Sequence, residues 1–178
     1  NLDDAGVAQV AAESQWQDVR SPLRLILQAS LLESGGRPVT RRVEQAIWPA
    51  DALVGIRPQF GEKAVYDYRT DDTVSQPMVD ENGNAGFDIV YANAQGEKVA
   101  VKGLKMRLVR ERRDYYWNWS DSEGWLSQFD QKDLVEAEQT IDLAAGETGK
   151  VSFPVEWGSY RLEVVSPDDL VSSVRFWA

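Results

Sequence analysis

Pro154-Val155-Glu156-Trp157-Gly158-Ser159-Tyr160-Arg161-Leu162-Glu163-Val164, followed by Ser173-Val174-Arg175-Phe176-Trp177, decides the fold class. Apolar and polar residues alternate with period 2 in both pieces, the signature of strands with one buried face. The stretch carries neither cysteine nor histidine. It predicts the last two strands of a β-sandwich, with a tight approach at Gly158 and aromatic plugs on either side.

Working outward, the same pattern recurs at sandwich spacing. Val54-Gly55-Ile56-Arg57-Pro58-Gln59-Phe60 predicts a strand. Asp80-Glu81-Asn82-Gly83-Asn84 predicts a turn, Asn-Gly being a strong local signal. Phe87, Ile89 and Tyr91 then share one face of the next strand, and Leu104, Met106 and Leu108 point inward from another. Tyr115-Tyr116-Trp117-Asn118-Trp119 and Gly124-Trp125 flank a hairpin loop, Ser120-Asp121-Ser122-Glu123. Thr140-Ile141-Asp142-Leu143 and Val151-Ser152-Phe153-Pro154-Val155 add two more strands, while residues 130–139 read as a short helical turn. Seven or eight strands without a long helical stripe predict an all-β, immunoglobulin-like antiparallel sandwich over residues 53–178.

The first fifty residues hold fewer strands. Gly6-Val7-Ala8-Gln9-Val10 reads as a short strand and Gln15-Trp16-Gln17 as the start of a loop. Leu23, Leu25, Leu27, Ala29 and Leu31 form one alternating strand, and Val39 to Trp48 another. Between them Glu33-Ser34-Gly35-Gly36-Arg37-Pro38 supplies glycines for a tight turn. Pro49-Ala50-Asp51-Ala52 breaks the pattern, because proline cannot donate to a ladder. Three strands are too few to close a sandwich alone. Residues 1–52 are therefore expected to be the C-terminal, closing strands of a preceding similar domain, the alternative being that they pair onto the second unit as extra strands.

Composition narrows the chemistry. Among 178 residues, 43% are hydrophobic, enough for a core, and no run of apolar residues is long enough to span a membrane. The net charge of −10 argues against nucleic acid as a partner. Cysteine is absent, which removes disulfides, thiolate zinc sites and cysteine nucleophiles. Histidine is absent as well, which removes Ser-His-Asp catalysis and imidazole ligands. An enzyme built on this chain would depend on carboxylates, Lys, Tyr or an oxygen-ligated metal.

Three constellations remain. Asp71-Asp72 with Asp80-Glu81-Asn82-Gly83-Asn84 is acidic but lacks the EF-hand spacing, and reads as solvated turns. Arg107, Arg110, Arg112 and Arg113 interleave with Tyr115, Tyr116, Trp117 and Trp119, a mixture able to stack bases or sugars. Glu111, Asp114, Asp121 and Glu123 lie among them, so two long paired strands with an aromatic ladder and cross-strand charge pairs are the simpler reading. The seven tryptophans each carry a large apolar area and are expected in the core or at domain contacts. Asn118-Trp119-Ser120 matches a glycosylation sequon, a three-residue pattern of low specificity. No catalytic, cofactor-binding or metal-binding residue is assigned.

The chain resembles the bacterial α2-macroglobulins. Leu27-Gln28-Ala29-Ser30-Leu31-Leu32-Glu33-Ser34-Gly35-Gly36-Arg37-Pro38-Val39-Thr40-Arg41 carries the likeness first. Lys102-Gly103-Leu104-Lys105-Met106-Arg107-Leu108-Val109-Arg110-Glu111-Arg112, Tyr115-Tyr116-Trp117, residues 155–164 and Ser173-Val174-Arg175-Phe176 extend it over most of the chain. The resemblance implies macroglobulin-like domains, seven-stranded antiparallel sandwiches strung in series, from the middle of the molecule. It also implies a large periplasmic lipoprotein, anchored to the inner membrane, that traps endopeptidases. In that family a protease cuts a bait segment, the molecule rearranges, and a cysteine–glutamine thioester captures the attacker. A cysteine-free piece cannot hold the thioester, and the arginines at 107–113 sit in a strand-like run rather than an exposed bait. What the resemblance leaves for this piece is a non-catalytic scaffold, partnered by neighbouring domains of the same protein. The rival readings are a carbohydrate-binding or adhesion sandwich using Tyr115, Trp117, Trp119 and Trp125 as a stacking platform, and a carboxylate-based hydrolase.

Overall fold

The computed structural model describes residues 3, 5–8, 18–31, 36–67 and 71–178. The chain divides into two compact units, Asn1–Ala50 and Asp51–Ala178. In the first, β1 (Leu23–Leu31) and β2 (Val39–Ile47) pair antiparallel from Leu23↔Ile47 to Leu31↔Val39. Ser30 and Thr40 join across the ladder through their hydroxyls at 2.8 Å. Val7 donates its amide to Asp3 Oδ1 at 2.7 Å, which makes a turn of the residues next to it. Gln9 and Val10 of the expected first strand, the loop at Gln15-Trp16-Gln17 and residues 33–35 of the glycine turn lie outside the described residues.

The described residues of the second unit form nine strands: β3 (Ala52–Pro58), β4 (Glu62–Asp67), β5 (Asp72–Pro77), β6 (Asn84–Asn93), β7 (Val101–Ser120), β8 (Gly124–Leu143), β9 (Gly149–Pro154), β10 (Ser159–Val165) and β11 (Val171–Trp177). No described residue is helical, and every strand ladder is antiparallel. A four-stranded sheet, β11-β10-β7-β8, faces a three-stranded sheet, β3-β6-β9, and β4-β5 forms a separate hairpin. The seven strands of the two facing sheets match the expected sandwich; the β4-β5 hairpin is an addition the periodicity did not reveal.

The core lies between the sheets. β10 sends Tyr160, Leu162 and Val164 inward, β7 sends Leu104, Met106 and Leu108, and β6 sends Phe87, Ile89 and Tyr91. These are the alternate positions read from the sequence, and burying side chains of this size supplies the main stabilisation. Phe87, Phe176, Tyr160 and Phe60 form an aromatic centre: Tyr160 stacks on Phe176 at 5.5 Å, and Phe60 meets Phe87 edge-on at 5.4 Å. The plugs of the deciding stretch are thus Tyr160 and Phe176. No described tryptophan belongs to the core; Trp117, Trp119, Trp125 and Trp157 are exposed. An indole this large fits a seven-stranded core only where its N–H finds a partner.

Two further expectations are corrected. Residues 130–139 are not a helical turn but lie within β8, paired from Asp130↔Asp114 to Gln139↔Met106. The open edge of β7 offers ladder partners along its whole length, and satisfying them outweighs local helix propensity. The stretches around Leu104 and Tyr115, read as separate strands, are one twenty-residue strand, β7.

Candidate functional site

β7 and β8 are far longer than the sandwich they belong to. β10 pairs with β7 only from Lys105 to Glu111. Beyond Glu111 the two strands continue as a ribbon, through Arg112↔Lys132 to Ser120↔Gly124. The three residues Asp121, Ser122 and Glu123 close it, with Gly124 at φ +75°, the left-handed position such a hairpin loop requires.

Cross-strand partners share a face, so the register sorts the ribbon into two sides. One side carries Arg113 and Gln131, Tyr115 and Phe129, Trp117 and Ser127, Trp119 and Trp125. Its five aromatic residues are 51% to 67% exposed. Trp119 and Trp125 pack edge to face at 5.6 Å, Tyr115 and Phe129 are tilted at 5.7 Å, and the Arg113 guanidinium lies 5.6 Å from the Phe129 ring. The other side is mostly polar, with Tyr116 and Leu126 among its residues: Asp114 receives Arg112 at 2.8 Å and Lys132 at 3.2 Å, and Asn118 donates to Gln128 at 2.9 Å. Those two cations hold the Asp114 carboxyl below the usual carboxylate range, Lys132 most strongly. The sequence reading of paired strands with an aromatic ladder and charge pairs describes this ribbon, and Tyr115, Trp117, Trp119 and Trp125 are brought together on one side.

A charge network ties down the ribbon's root. Arg161 of β10 donates from Nε to Glu163 at 2.8 Å and from Nη2 to Asp133 at 2.8 Å, while Nη1 pairs with Glu111. Arg175 of β11 reaches Glu111 at 3.0 Å, and Arg107 reaches Glu163 at 2.8 Å. The Glu111 side chain is only 6% exposed although it stands on the outward face of the sheet. Val109 is buried on that face too, outside the main core. Arg161 holds the Asp133 carboxyl below its ordinary value, and Asp133 first, with Glu163 and Glu111, raises the Arg161 guanidinium further. Asp133 is thus a firm anion held for pairing rather than a carboxyl poised to donate a proton.

Beside the root lies a cleft of about 430 Å³ between the free edge of β7 and two tryptophans, Trp157 and Trp177. Arg110, Arg112 and Arg113 line it, and its acid, Glu111, is already engaged by Arg161 and Arg175. Gly158 stands at its floor with φ +153°. The tight approach expected there is real, but its partner is a side chain: a Cβ on Gly158 would meet Arg110 Nε at 3.1 Å. Arg110 donates to the Trp157 carbonyl at 2.7 Å and lies 5.8 Å from the Tyr160 ring.

The acidic residues 71–72 and 80–84 sit on two separate turns. Asp71 and Asn82 take positive φ, Gly83 donates to the Asp80 carbonyl at 3.0 Å, and Lys63 pairs with Asp80 at 2.9 Å. Among the described residues no three acids gather in the arrangement of a metal site. The site the sequence did not foresee is the root network, because Glu111, Asp133, Glu163 and Arg175 meet only through strand register.

Residues 55–178 match the family model of bacterial macroglobulin domain 6, and residues 1–49 match that of the bacterial alpha-2-macroglobulin MG5 domain. The chain is similar to the alpha-2-macroglobulin of Escherichia coli strain K12, with 73% identity over 177 residues, 99% of this chain and 11% of that protein. It is similar in structure to Salmonella alpha-2-macroglobulin reacted with methylamine, at 78% identity and a TM-score of 0.81, covering 99% of this chain and 12% of that one. It also resembles trypsin-activated alpha-2-macroglobulin from Escherichia coli, at 65% identity and a TM-score of 0.79, covering 99% and 11%. The chain therefore spans about a ninth of the length of the relatives it matches.

Proposed function

Since this chain belongs to the bacterial alpha-2-macroglobulins, we propose that it is a non-catalytic scaffold fragment of a broad-spectrum protease trap. The observation that carries this reading is the match of its two successive segments to two successive macroglobulin domains, at high identity over nearly the whole chain. A relative activated by trypsin supports endopeptidases as the partners of the whole polypeptide. The family's periplasmic location and lipid anchor at the inner membrane come with the same proposal.

Within such a molecule this piece contributes rigidity. Its sandwich is held by a continuous core, and its carboxylates serve arginines rather than a substrate. It contains no cysteine, so the family's thioester belongs elsewhere in the polypeptide. Its arginine run lies in a regular strand, β7, which is a poor form for a bait segment.

The test uses the whole polypeptide and trypsin, with cleavage of a protein substrate as the readout. Inhibition rising to saturation with added polypeptide is the expected result; trypsin left fully active overturns the reading. The scaffold role is checked by substitutions within this piece. Capture should fall only where thermal stability also falls. A substitution here that abolishes capture at unchanged stability would assign it a direct part instead. Cell fractionation tests the location: recovery outside the periplasmic membrane fraction would remove that part of the proposal.

A further inference from the structure

The ribbon of residues 112–132 is built as a one-sided surface. Five large aromatic side chains crowd one face, while the reverse carries mainly salt-bridged or hydrogen-bonded polar groups, with Tyr116 and Leu126 its apolar members. Five rings each more than half exposed present on the order of 500 Å² of contiguous apolar area, about the largest patch a free monomer usually carries. The ribbon is also pre-aligned. Arg161 clamps both of its strands at the root, Glu111 in β7 and Asp133 in β8, which are partners in register.

We propose that the aromatic face of this ribbon is the seat of another domain of the same polypeptide, one outside residues 1–178, which docks on it through an apolar surface of its own. This rests on the reading of the chain as part of a longer trap protein. About nine tenths of the length of its relatives lies outside the matched region, so a covering surface is available at the high effective concentration of a tethered neighbour. An aromatic-rich, charge-poor face is the composition of an interface centre. Arg113, the one cation on that face, already sits against Phe129 at its rim.

The ring geometry argues against a sugar platform. Stacking of a pyranose needs an open, unobstructed ring face. Here Trp119 and Trp125 are inclined at 65° and Tyr115 and Phe129 at 46°, each ring partly screening its neighbour. Apart from the Tyr115 hydroxyl and the indole N–H groups, the face offers sugar hydroxyls only Ser127, Gln131 and Arg113. Rings at mixed angles suit a contoured protein surface, into which they can interdigitate.

The experiment uses the whole polypeptide. Hydroxyl-radical oxidation of Trp117, Trp119 and Trp125 is compared between native and denatured protein. A covered face slows oxidation roughly tenfold, as expected for a desolvated interface centre; an open one slows it by no more than about twofold. In parallel, Trp117 is replaced by the photo-crosslinker p-benzoylphenylalanine. The expected product is an intramolecular link to a peptide outside residues 1–178, in protein that remains monomeric. A link to a second copy, a link within residues 1–178, or no link with freely oxidised indoles overturns the proposal. Oxidation slowed only on addition of maltohexaose or chitohexaose overturns it in favour of a sugar platform. Trypsin capture by the same preparation keeps the readings apart: intact capture with an open ribbon sinks the docking surface alone, and lost capture sinks the trap.

Discussion

Arg161 Nη2 donates to Asp133 Oδ2 at 2.8 Å, joining β10 to β8 across the full width of β7. The same guanidinium also holds Glu111 and Glu163, so three carboxylates depend on one cation at the ribbon's root. Glu111 and Glu163 are the buried members, with side chains 6% and 13% exposed. Removing the cation leaves Glu111 with Arg175 and Glu163 with Arg107 as their remaining partners, whereas Asp133 can turn to water.

Arg161→Ala is therefore expected to destabilise the second unit by roughly 1.5–3 kcal/mol, the range for lost charged hydrogen bonds, since Arg175 and Arg107 still compensate the buried acids. Arg161→Lys retains the charge but loses the planar fork, and should recover only part of that loss. Urea denaturation measures both. Equal stability of the Lys variant and the wild type would show that the fork geometry contributes nothing.

Acid should weaken the second unit. Asp133 is held below its ordinary pKa by Arg161, and Asp88 by Arg57 and then Gln59. A carboxyl with a depressed folded-state pKa contributes stability above its unfolded value, near pH 4, and loses it as pH falls through the lower folded value. Arg161, raised further, stays charged throughout. Stability should thus be flat from pH 7 to about 5 and decline below pH 4, and Asp133→Asn should flatten part of that decline. An unaltered acid slope in Asp133→Asn, followed by denaturation at several pH values, would count against this linkage.

Gly158→Val is expected to cost about 2–4 kcal/mol. Two causes add: the backbone at φ +153° disfavours any side chain, and the new Cβ presses on Arg110 Nε at 3.1 Å. Pairing Gly158→Val with Arg110→Ala separates them. The double variant should relieve the steric part and keep the backbone part, so thermal unfolding that is strictly additive would discard the Arg110 contact as a cause.

The core and the ribbon should respond in opposite ways. Phe176→Ala empties the aromatic centre where Phe176, Tyr160 and Phe87 meet, and is expected to cost roughly 3–5 kcal/mol. Trp117→Ala, on an open face, should stay within about 0.5 kcal/mol in the 178-residue chain. A large loss at Trp117 in thermal unfolding would mean that the ribbon supports the sandwich rather than projecting from it.

The inward-facing set was readable from alternation in the chain. Period 2 alone places Leu104, Met106 and Leu108, Phe87, Ile89 and Tyr91, and Tyr160, Leu162 and Val164 on buried faces, because a strand has only two sides and apolar groups leave water. The Asn82-Gly83 turn and the loop at residues 120–124 were legible for a similar reason: their backbone conformations restrict which residues fit. The family resemblance was legible in the same stretches. Only the tertiary structure decided the rest. It made one strand of the segments around Leu104 and Tyr115, and drew residues 130–139 into a ladder, since an unpaired strand edge overrides local propensity. It sent Trp117, Trp119, Trp125 and Trp157 outward, because indole size does not say which side of the sheet is free. It assembled Glu111, Asp133, Glu163, Arg161 and Arg175 from four strands, because cross-strand neighbours are set by register, and register is a property of the paired chain rather than of any one segment.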